Sequence, residues 1–177
     1  MERRGCGASP GGALGPSYHV IDGPYSPRWN ADPTRVIEGL ILHDAGVDSP
    51  YADVLARAML NSGNSYHEVI GPSKRYAGRF EAHVLVPHHL VAWHADARLI
   101  PDSTPWAATE RNNESTVGLC VTHPVTPEVL DVLTQRVVDL AGRYRIPPER
   151  VYGHRQVARS RTDPRGVDIG RVRAALA

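Results

Sequence analysis

The stretch VIEGLILHDA, Val36–Ala45, predicts a central β-strand and with it the layered character of the domain. Its run Leu40-Ile41-Leu42 is apolar on both faces, as expected of a strand that is covered on both sides. His43 and Asp44 follow at the carboxyl end, where open α/β sheets commonly hold their functional sites. This stretch therefore predicts a buried strand and the sheet edge at which a site should lie.

Outward from this strand, apolar and β-branched runs predict further strands. They are Ser65–Gly71, Arg75–Phe80, Ser115–Thr122 and Val151–Gly153. Ser49-Pro50 and Thr126-Pro127-Glu128 each place a capping residue before a proline at the first helical position, which predicts a helix after each. Asp168–Leu176 is predicted as a closing helix.

The two longer helices carry apolar stripes at steps of three and four residues. The first stripe is Val54, Leu55, Ala58 and Met59, with Gly63 ending the helix; the second is Leu130, Leu133, Val137, Leu140 and Tyr144. The order β-α-β-β-loop-β-α-β-loop-α predicts the α/β class: a single domain with a central mixed β-sheet flanked by helices.

Three segments carry no regular pattern. Residues 1–16 are rich in Gly, Pro and Ala and are predicted to be a disordered leader. Residues 17–34 are predicted to be an ordered but irregular arm of a domain that spans 17–177. Residues 81–113 are predicted to be dominated by loop, and so long a loop in a compact domain is often the wall of a binding groove.

Composition excludes several functional classes. With 177 residues, 41% apolar and 22% charged, the chain resembles one globular domain, and we expect a monomer. A net charge of +1 provides no large basic field, so no nucleic-acid partner is expected. No apolar run could cross a bilayer, so stable membrane insertion is not expected. The N-terminus lacks the apolar region of a secretory signal, which predicts a cytoplasmic protein.

The stretch VYGHRQVARSRTDPRG, Val151–Gly166, contains two candidate metal ligands. His154 and Asp163 share this loop with a cation, Arg161, although the loop alone is more typical of an exposed basic segment. His43 is a candidate third ligand, although a strand-end histidine can also be a core residue bonded to backbone. Catalytic zinc sites commonly combine three such ligands with a water molecule, whose pKa the metal lowers to about 7.

Five stretches in register carry a family resemblance. They are LILHDAG at 40–46, SYHEVI at 65–70, VPHHLVAWHA at 86–95, NNESTVGLCV at 112–121 and GHRQVARSRTDPRGVD at 153–168. Together they resemble the zinc-dependent N-acetylmuramoyl-L-alanine amidases of the type 2 family, which share their fold with peptidoglycan recognition proteins and T7-phage-type lysozyme. The resemblance covers about residues 36–176 and implies that His43, His154 and Asp163 bind Zn²⁺.

The resemblance also implies roles beside the metal. Tyr66 matches a tyrosine that could hydrogen-bond the oxyanion, although it could instead be packed under a loop. Arg161 stands where many relatives have lysine; it can stabilise charge but cannot readily give up a proton. His94 matches a substrate-binding position in the groove. Cys120 stands where one branch has a catalytic glutamate and the phage-type branch can have cysteine; a Cys–His nucleophile is conceivable, but the strand context favours a small buried residue.

The function that the resemblance implies is hydrolysis of the amide between N-acetylmuramic acid and L-alanine in peptidoglycan. We expect a phage or prophage endolysin that stays in the cytoplasm until it is released to the cell wall, by a holin-type opening if phage-encoded. Two alternatives remain open at this point. They are a cytoplasmic amidase that recycles anhydro-muropeptides and a non-catalytic peptidoglycan-binding protein.

Overall fold

The computed structural model describes residues 16–62, 65–95, 112–158 and 161–177. Of the predicted leader, residues 1–16, only Pro16 falls within these ranges. The strands are β1 (Tyr18–Asp22), β2 (Trp29–Ala31), β3 (Gly39–Asp44), β4 (Glu68–Pro72), β5 (Phe80–Val84), β6 (Leu90–Ala92), β7 (Thr116–Val121) and β8 (Val151–Gly153). The helices are α1 (Ala52–Met59), α2 (Asn112–Ser115), α3 (Pro127–Tyr144), α4 (His154–Val157) and α5 (Ile169–Ala174).

Six of the strands form one mixed sheet in the order β1-β5-β4-β7-β3-β8. Neighbouring strands run parallel except β4 and β5, which are antiparallel. β2 and β6 form a separate antiparallel pair. β3 and β7 lie side by side in the sheet, and every residue of both is buried. The predicted α/β domain with a central mixed sheet is therefore confirmed, and VIEGLILHDA supplies one of its interior strands.

Side chains along β3 point alternately to the two faces of the sheet, so the main core lies on one face and the candidate site on the other. Leu40 and Leu42 belong to the core cluster that β3 shares with α3. Ile41 points to the other face, where it packs with Tyr152. His43 is two residues beyond Ile41 and therefore lies on that same face. One face of the sheet thus holds the long helix, and the other carries the candidate ligand.

The longest helix, α3, follows its prediction closely. It begins at Pro127, and the side chain of Thr126 caps it by accepting a hydrogen bond from the amide of Val129. The predicted apolar positions Leu130, Leu133, Val137 and Leu140 are all buried. None of the helices in the described ranges, α3 included, is both long and apolar enough to span a membrane.

The strand predicted at Arg75–Phe80 is wrong, because the strand is β5 and begins only at Phe80. β5 lies inside the segment that was expected to be loop, and β6 follows it there. Because Glu81 and His83 are polar, the sequence of β5 resembles that of a loop. In the folded protein both are buried, with His83 Nε2 2.9 Å from Glu81 Oε2, so that each buried polar group has a partner.

The arm at residues 17–34, predicted to be irregular, contains β1 and β2. β1 forms one edge of the large sheet, where it pairs in parallel with β5. Its residues are partly or fully exposed, since an edge strand beyond the main core needs no continuous apolar run. The sequence YHVID therefore lacks the signal that marks an interior strand.

The first helix begins two residues later than predicted, at Ala52 rather than Pro50. Ser49 lies in an isolated β-bridge with His123, so the chain is still extended there. Tyr51 becomes the N-cap residue, and it makes no side-chain capping bond. The buried face of α1 consists of Ala52, Leu55 and Ala56. Val54, from the predicted stripe, is exposed instead.

Candidate metal centre

The three predicted ligands meet at the carboxyl ends of two parallel neighbours, β3 and β8. His43 is the penultimate residue of β3, His154 follows β8 directly as the first residue of α4, and Asp163 lies in the loop beyond. The Nδ1 atom of His43 is 3.2 Å from Asp163 Oδ2, and the Nδ1 atom of His154 is 3.0 Å from Asp163 Oδ1. One ligand atom from each of the three residues lies within 4.8 Å of the others.

These separations fit a zinc ion. Four ligands at zinc bond lengths of about 2.0–2.2 Å in a tetrahedron lie roughly 3.3 Å from one another. Burial lowers the pKa of His43 to about 4, so its imidazole is neutral and able to bind metal at neutral pH. Burial raises the pKa of Asp163, but hydrogen bonding with His154 and His43 outweighs it and keeps that pKa well below its usual range. The donor set is thus two imidazoles and one carboxylate.

A second pair of residues holds the ligand loop against β3. The buried carboxylate of Asp44 accepts hydrogen bonds from the backbone amide of Arg165 at 2.7 Å and from its guanidinium at 2.9 Å. It also accepts one from the amide of Gly46 at 2.7 Å. Because Asp44 follows His43 and Arg165 lies two residues after Asp163, this contact sets the distance between two of the ligands.

The ligands border a cavity of about 490 Å³. Its lining includes five of the six predicted site residues, namely Tyr66, His94, His154, Arg161 and Asp163, together with Trp93. His43 is fully buried behind this surface, and its ring centre lies 5.0 Å from that of Tyr66 and 4.4 Å from that of His154. Burial raises the pKa of Tyr66 far above its usual value, so its phenol stays protonated and can donate a hydrogen bond.

His94 has a contact that the sequence did not reveal. Its Nδ1 atom lies 3.0 Å from Nε2 of His43, and its Nε2 atom lies 3.3 Å from Oγ1 of Thr116. Both ring nitrogens are therefore engaged inside the protein, although part of the residue borders the cavity. Direct substrate binding by His94 stays a prediction, while its contact with His43 is a property of the fold.

Other residues of the quoted motifs have clear positions. Cys120 is fully buried beside β3, in register with His43. Burial raises the pKa of its thiol well above the usual value, which disfavours the thiolate that a Cys–His nucleophile requires. His67 is also fully buried, and its Nδ1 accepts a hydrogen bond from the amide of Gly118. The sequence offered no signal for this backbone contact, because the two residues are far apart along the chain.

Replacing Gly118 with alanine is expected to destabilise the protein by about 1–3 kcal/mol through overpacking. An added Cβ would lie only 2.4 Å from Cγ of His94, so the His94 ring would have to move. Denaturant unfolding measures the effect. Gly142→Ala is the matched control, since nothing lies within 4 Å of the new Cβ in α3, and it should stabilise by about 0.5–1 kcal/mol. Equal effects of the two substitutions would contradict the close contact.

Fold and site together define a class of protein. It is the class of single-domain α/β proteins with two histidines and one aspartate converging at the carboxyl ends of parallel strands. The chain belongs to the N-acetylmuramoyl-L-alanine amidase family, type 2, whose family model matches residues 33–166. The predicted family resemblance is thereby confirmed.

Individual relatives agree with this assignment. The chain is 26% identical over 143 residues to the N-acetylmuramoyl-L-alanine amidase AmiD of Escherichia coli strain K12, covering 73% of this chain and 49% of AmiD. The chain therefore spans about half the length of this curated relative.

Two solved structures share the fold. A mutant endolysin from Bacillus subtilis is 13% identical with a TM-score of 0.67, covering 91% of this chain and 100% of its own. The N-acetylmuramoyl-L-alanine amidase LysC from Clostridium intestinale URNW is 16% identical with a TM-score of 0.58, covering 90% and 98%. At these identities the likeness concerns the fold alone.

Proposed function

We propose that this chain is a zinc-dependent amidase that hydrolyses the bond between N-acetylmuramic acid and L-alanine in peptidoglycan. The observation that carries the proposal is the convergence of ligand atoms from His43, His154 and Asp163 within 4.8 Å beside an open cavity. Family membership supports the choice of bond. The cavity supports a large substrate, because it is open and bordered by polar side chains together with Trp93.

The protein's own residues divide the chemistry among them. Zinc, when bound, acidifies a water molecule and polarises a carbonyl group. The protonated phenol of Tyr66 is available to donate a hydrogen bond to the oxygen that gains charge as the amide is attacked. A guanidinium does not readily give up a proton, so Arg161 contributes electrostatic stabilisation rather than proton transfer. His43, His154 and Asp163 would hold the ion, and the carboxylate of Asp163 would supply the negative charge of the site.

Replacing Tyr66 with phenylalanine is expected to lower kcat by about 100-fold, because one oxyanion donor is lost while the ring's packing remains. Zinc content should stay unchanged, since the phenol is not among the ligands. Steady-state hydrolysis of a soluble muropeptide measures kcat, and Tyr25→Phe, an exposed tyrosine bonded to Asp22, is the control. A variant that retains the parental kcat would remove Tyr66 from the mechanism.

The site of action is part of the same proposal. We infer that the enzyme acts as a phage or prophage endolysin, reaching intact cell wall after release from the cytoplasm. One point supports this inference: Cys120 occupies the position at which, by the family resemblance, the phage-type branch can have cysteine.

The decisive experiment compares intact sacculi with soluble anhydro-muropeptides as substrates, with mass spectrometry of the products. An amidase must release stem peptides with free L-alanine amino termini. Preference for intact sacculi supports the endolysin, whereas preference for anhydro-muropeptides supports a recycling enzyme. Binding to sacculi without any cleavage would instead identify a non-catalytic peptidoglycan-binding protein.

A further inference from the structure

We propose that a buried hydrogen-bond chain through Thr116 and His94 fixes the tautomer of His43, so that the Nδ1 lone pair of His43 faces the metal position. The inference rests on the proposed function, because it concerns the same metal site. It makes Thr116 and His94 positioning residues, which act on the metal through His43 and need not touch the substrate.

The chain begins at the backbone carbonyl of Asn112. That oxygen is an acceptor, and the hydroxyl of Thr116 is bonded to it, so the single hydroxyl proton is used there. The lone pairs of Thr116 Oγ1 are left to face His94 Nε2 at 3.3 Å. A contact between two lone pairs would be repulsive. Nε2 of His94 therefore carries a proton and donates a hydrogen bond to Thr116 Oγ1.

The same reasoning assigns the protons on the two imidazole rings. A neutral His94 that is protonated on Nε2 has a bare Nδ1, which can only accept. Its neighbour at 3.0 Å is Nε2 of His43, which must therefore be the protonated nitrogen of that ring. The other nitrogen of His43, Nδ1, is left bare and lies 3.2 Å from Asp163 Oδ2. Two facing lone pairs are favourable there only with a cation between them, so this arrangement of protons is the one that a zinc-loaded site requires. The nitrogen needed as a ligand is thus free to bind.

Burial favours one direction of the hydrogen-bond chain over the mixed arrangements that water could otherwise satisfy. Thr116 and His43 are fully buried and His94 is 5% exposed, so bulk water has little access to offer the rings alternative partners. In such a setting a buried polar group without its partner is strongly disfavoured. The sequence of donors and acceptors is therefore coupled from Asn112 to His43, since reversing one bond would require reversing all of them.

Residues outside the hydrogen-bond chain also fix the position of His94. The side-chain oxygen of Asn113 accepts hydrogen bonds from the amides of His94 at 3.1 Å and Ala95 at 2.8 Å, and its nitrogen donates to the carbonyl of Ala95. On its other side the ring lies against Gly118, where an added Cβ would come within 2.5 Å of Nδ1. This packing keeps Nδ1 of His94 directed at His43.

The first test is zinc affinity, measured by competition with a chromogenic chelator. Thr116→Val removes the hydroxyl, and the zinc dissociation constant of the folded variant is expected to rise by about 10- to 100-fold, as for other residues that orient metal ligands. Thr116→Ser keeps the hydroxyl and should restore affinity close to that of the parent. Thr122→Val is the matched control, because Thr122 is equally buried and its hydroxyl has no hydrogen-bond partner among the described residues.

Parental affinity in Thr116→Val, or equal weakening in Thr122→Val, would overturn the inference. A purely structural role for Thr116 would lower the Tm without changing the affinity of the molecules that remain folded.

The second test reads the tautomers directly by long-range ¹H–¹⁵N correlation spectra of the imidazoles at neutral pH. In the zinc-loaded protein, His94 and His43 are each expected to carry the proton on Nε2. A proton on Nδ1 of His94 would overturn the inference even if the protein binds zinc normally. Failure of the parent protein to bind zinc would instead count against the proposed function, and the tautomer of His94 in that protein would still decide between the two orientations of the chain.

Discussion

Replacing His154 with alanine is expected to reduce hydrolysis of peptidoglycan by at least about 1,000-fold. His154 contributes one of three ligand atoms, and its ring is almost fully buried beside Asp163 and His43. A metal contributes several kcal/mol of transition-state stabilisation in such sites, and each 1.36 kcal/mol corresponds to a factor of ten in rate. Release of stem peptides from purified sacculi measures the activity, and metal analysis of the same sample measures bound zinc.

The control for this substitution is His123→Ala. His123 is more exposed and its Nδ1 lies 2.8 Å from Asp48, away from the three ligands, so its loss should leave zinc content and rate close to the parent. Treatment of the parent protein with a chelator should reproduce the defect of His154→Ala, and added zinc should restore only the parent. Full activity of His154→Ala would show that the reaction does not depend on this metal site.

Replacing Arg136 with alanine is expected to destabilise the fold by about 3 kcal/mol, the lower end of the range for breaking a buried ion pair. Glu68 in β4 is fully buried, and Nε of Arg136 in α3 donates to its Oε2 at 2.8 Å. His88 is the partner that remains, with Nε2 2.8 Å from Glu68 Oε1, and it limits the loss. Denaturant unfolding measures the change. Arg171→Ala removes an exposed ion pair with Asp131 and should cost less than about 1 kcal/mol.

The same ion pair predicts a dependence on pH. Burial raises the pKa of Glu68, but the charge of Arg136 outweighs it and holds that pKa far below the ordinary value of about 4.3. Glu68 therefore stabilises the parent above that ordinary pKa, and this stability is lost as pH falls. The gap between parent and Arg136→Ala should be largest at neutral pH and narrow on acidification. A gap that is constant with pH would show that the charge of Glu68 is not involved.

The parts of the fold that could be predicted are those with a local signal. Leu40-Ile41-Leu42 is apolar on both faces, and only an interior strand requires that pattern. Thr126 and Pro127 mark the start of α3 by capping chemistry that acts within one turn. The position of His43 followed from the same reasoning, since the carboxyl ends of strands in such sheets meet at one edge. His154 and Asp163 were candidate ligands from their own loop, and the family resemblance favoured that interpretation over an exposed basic segment.

The parts that could not be predicted depend on contacts between distant residues. β5 contains Glu81 and His83, which are polar in sequence and become acceptable inside the sheet only because they bond to each other. The contact of Thr116 with His94 likewise requires the loop before residue 96 to lie over β7. No spacing within either motif indicates that contact. The role of Gly118 follows from it, since a glycine in a strand has no evident purpose until the ring above it is placed.

The position of β8 at the edge of the sheet has a consequence for how the proposed metal would be released. β8 is three residues long and pairs with β3, and His154 follows it directly. Edge elements of this kind open locally at lower free energy than the core. Opening of β8 would carry His154 away from His43, whereas a bound ion would oppose that opening through its preference for the closed form. We therefore expect zinc and the carboxyl-terminal segment to protect each other: bound zinc should slow proteolysis near His154, and the closed strand should slow escape of the ion.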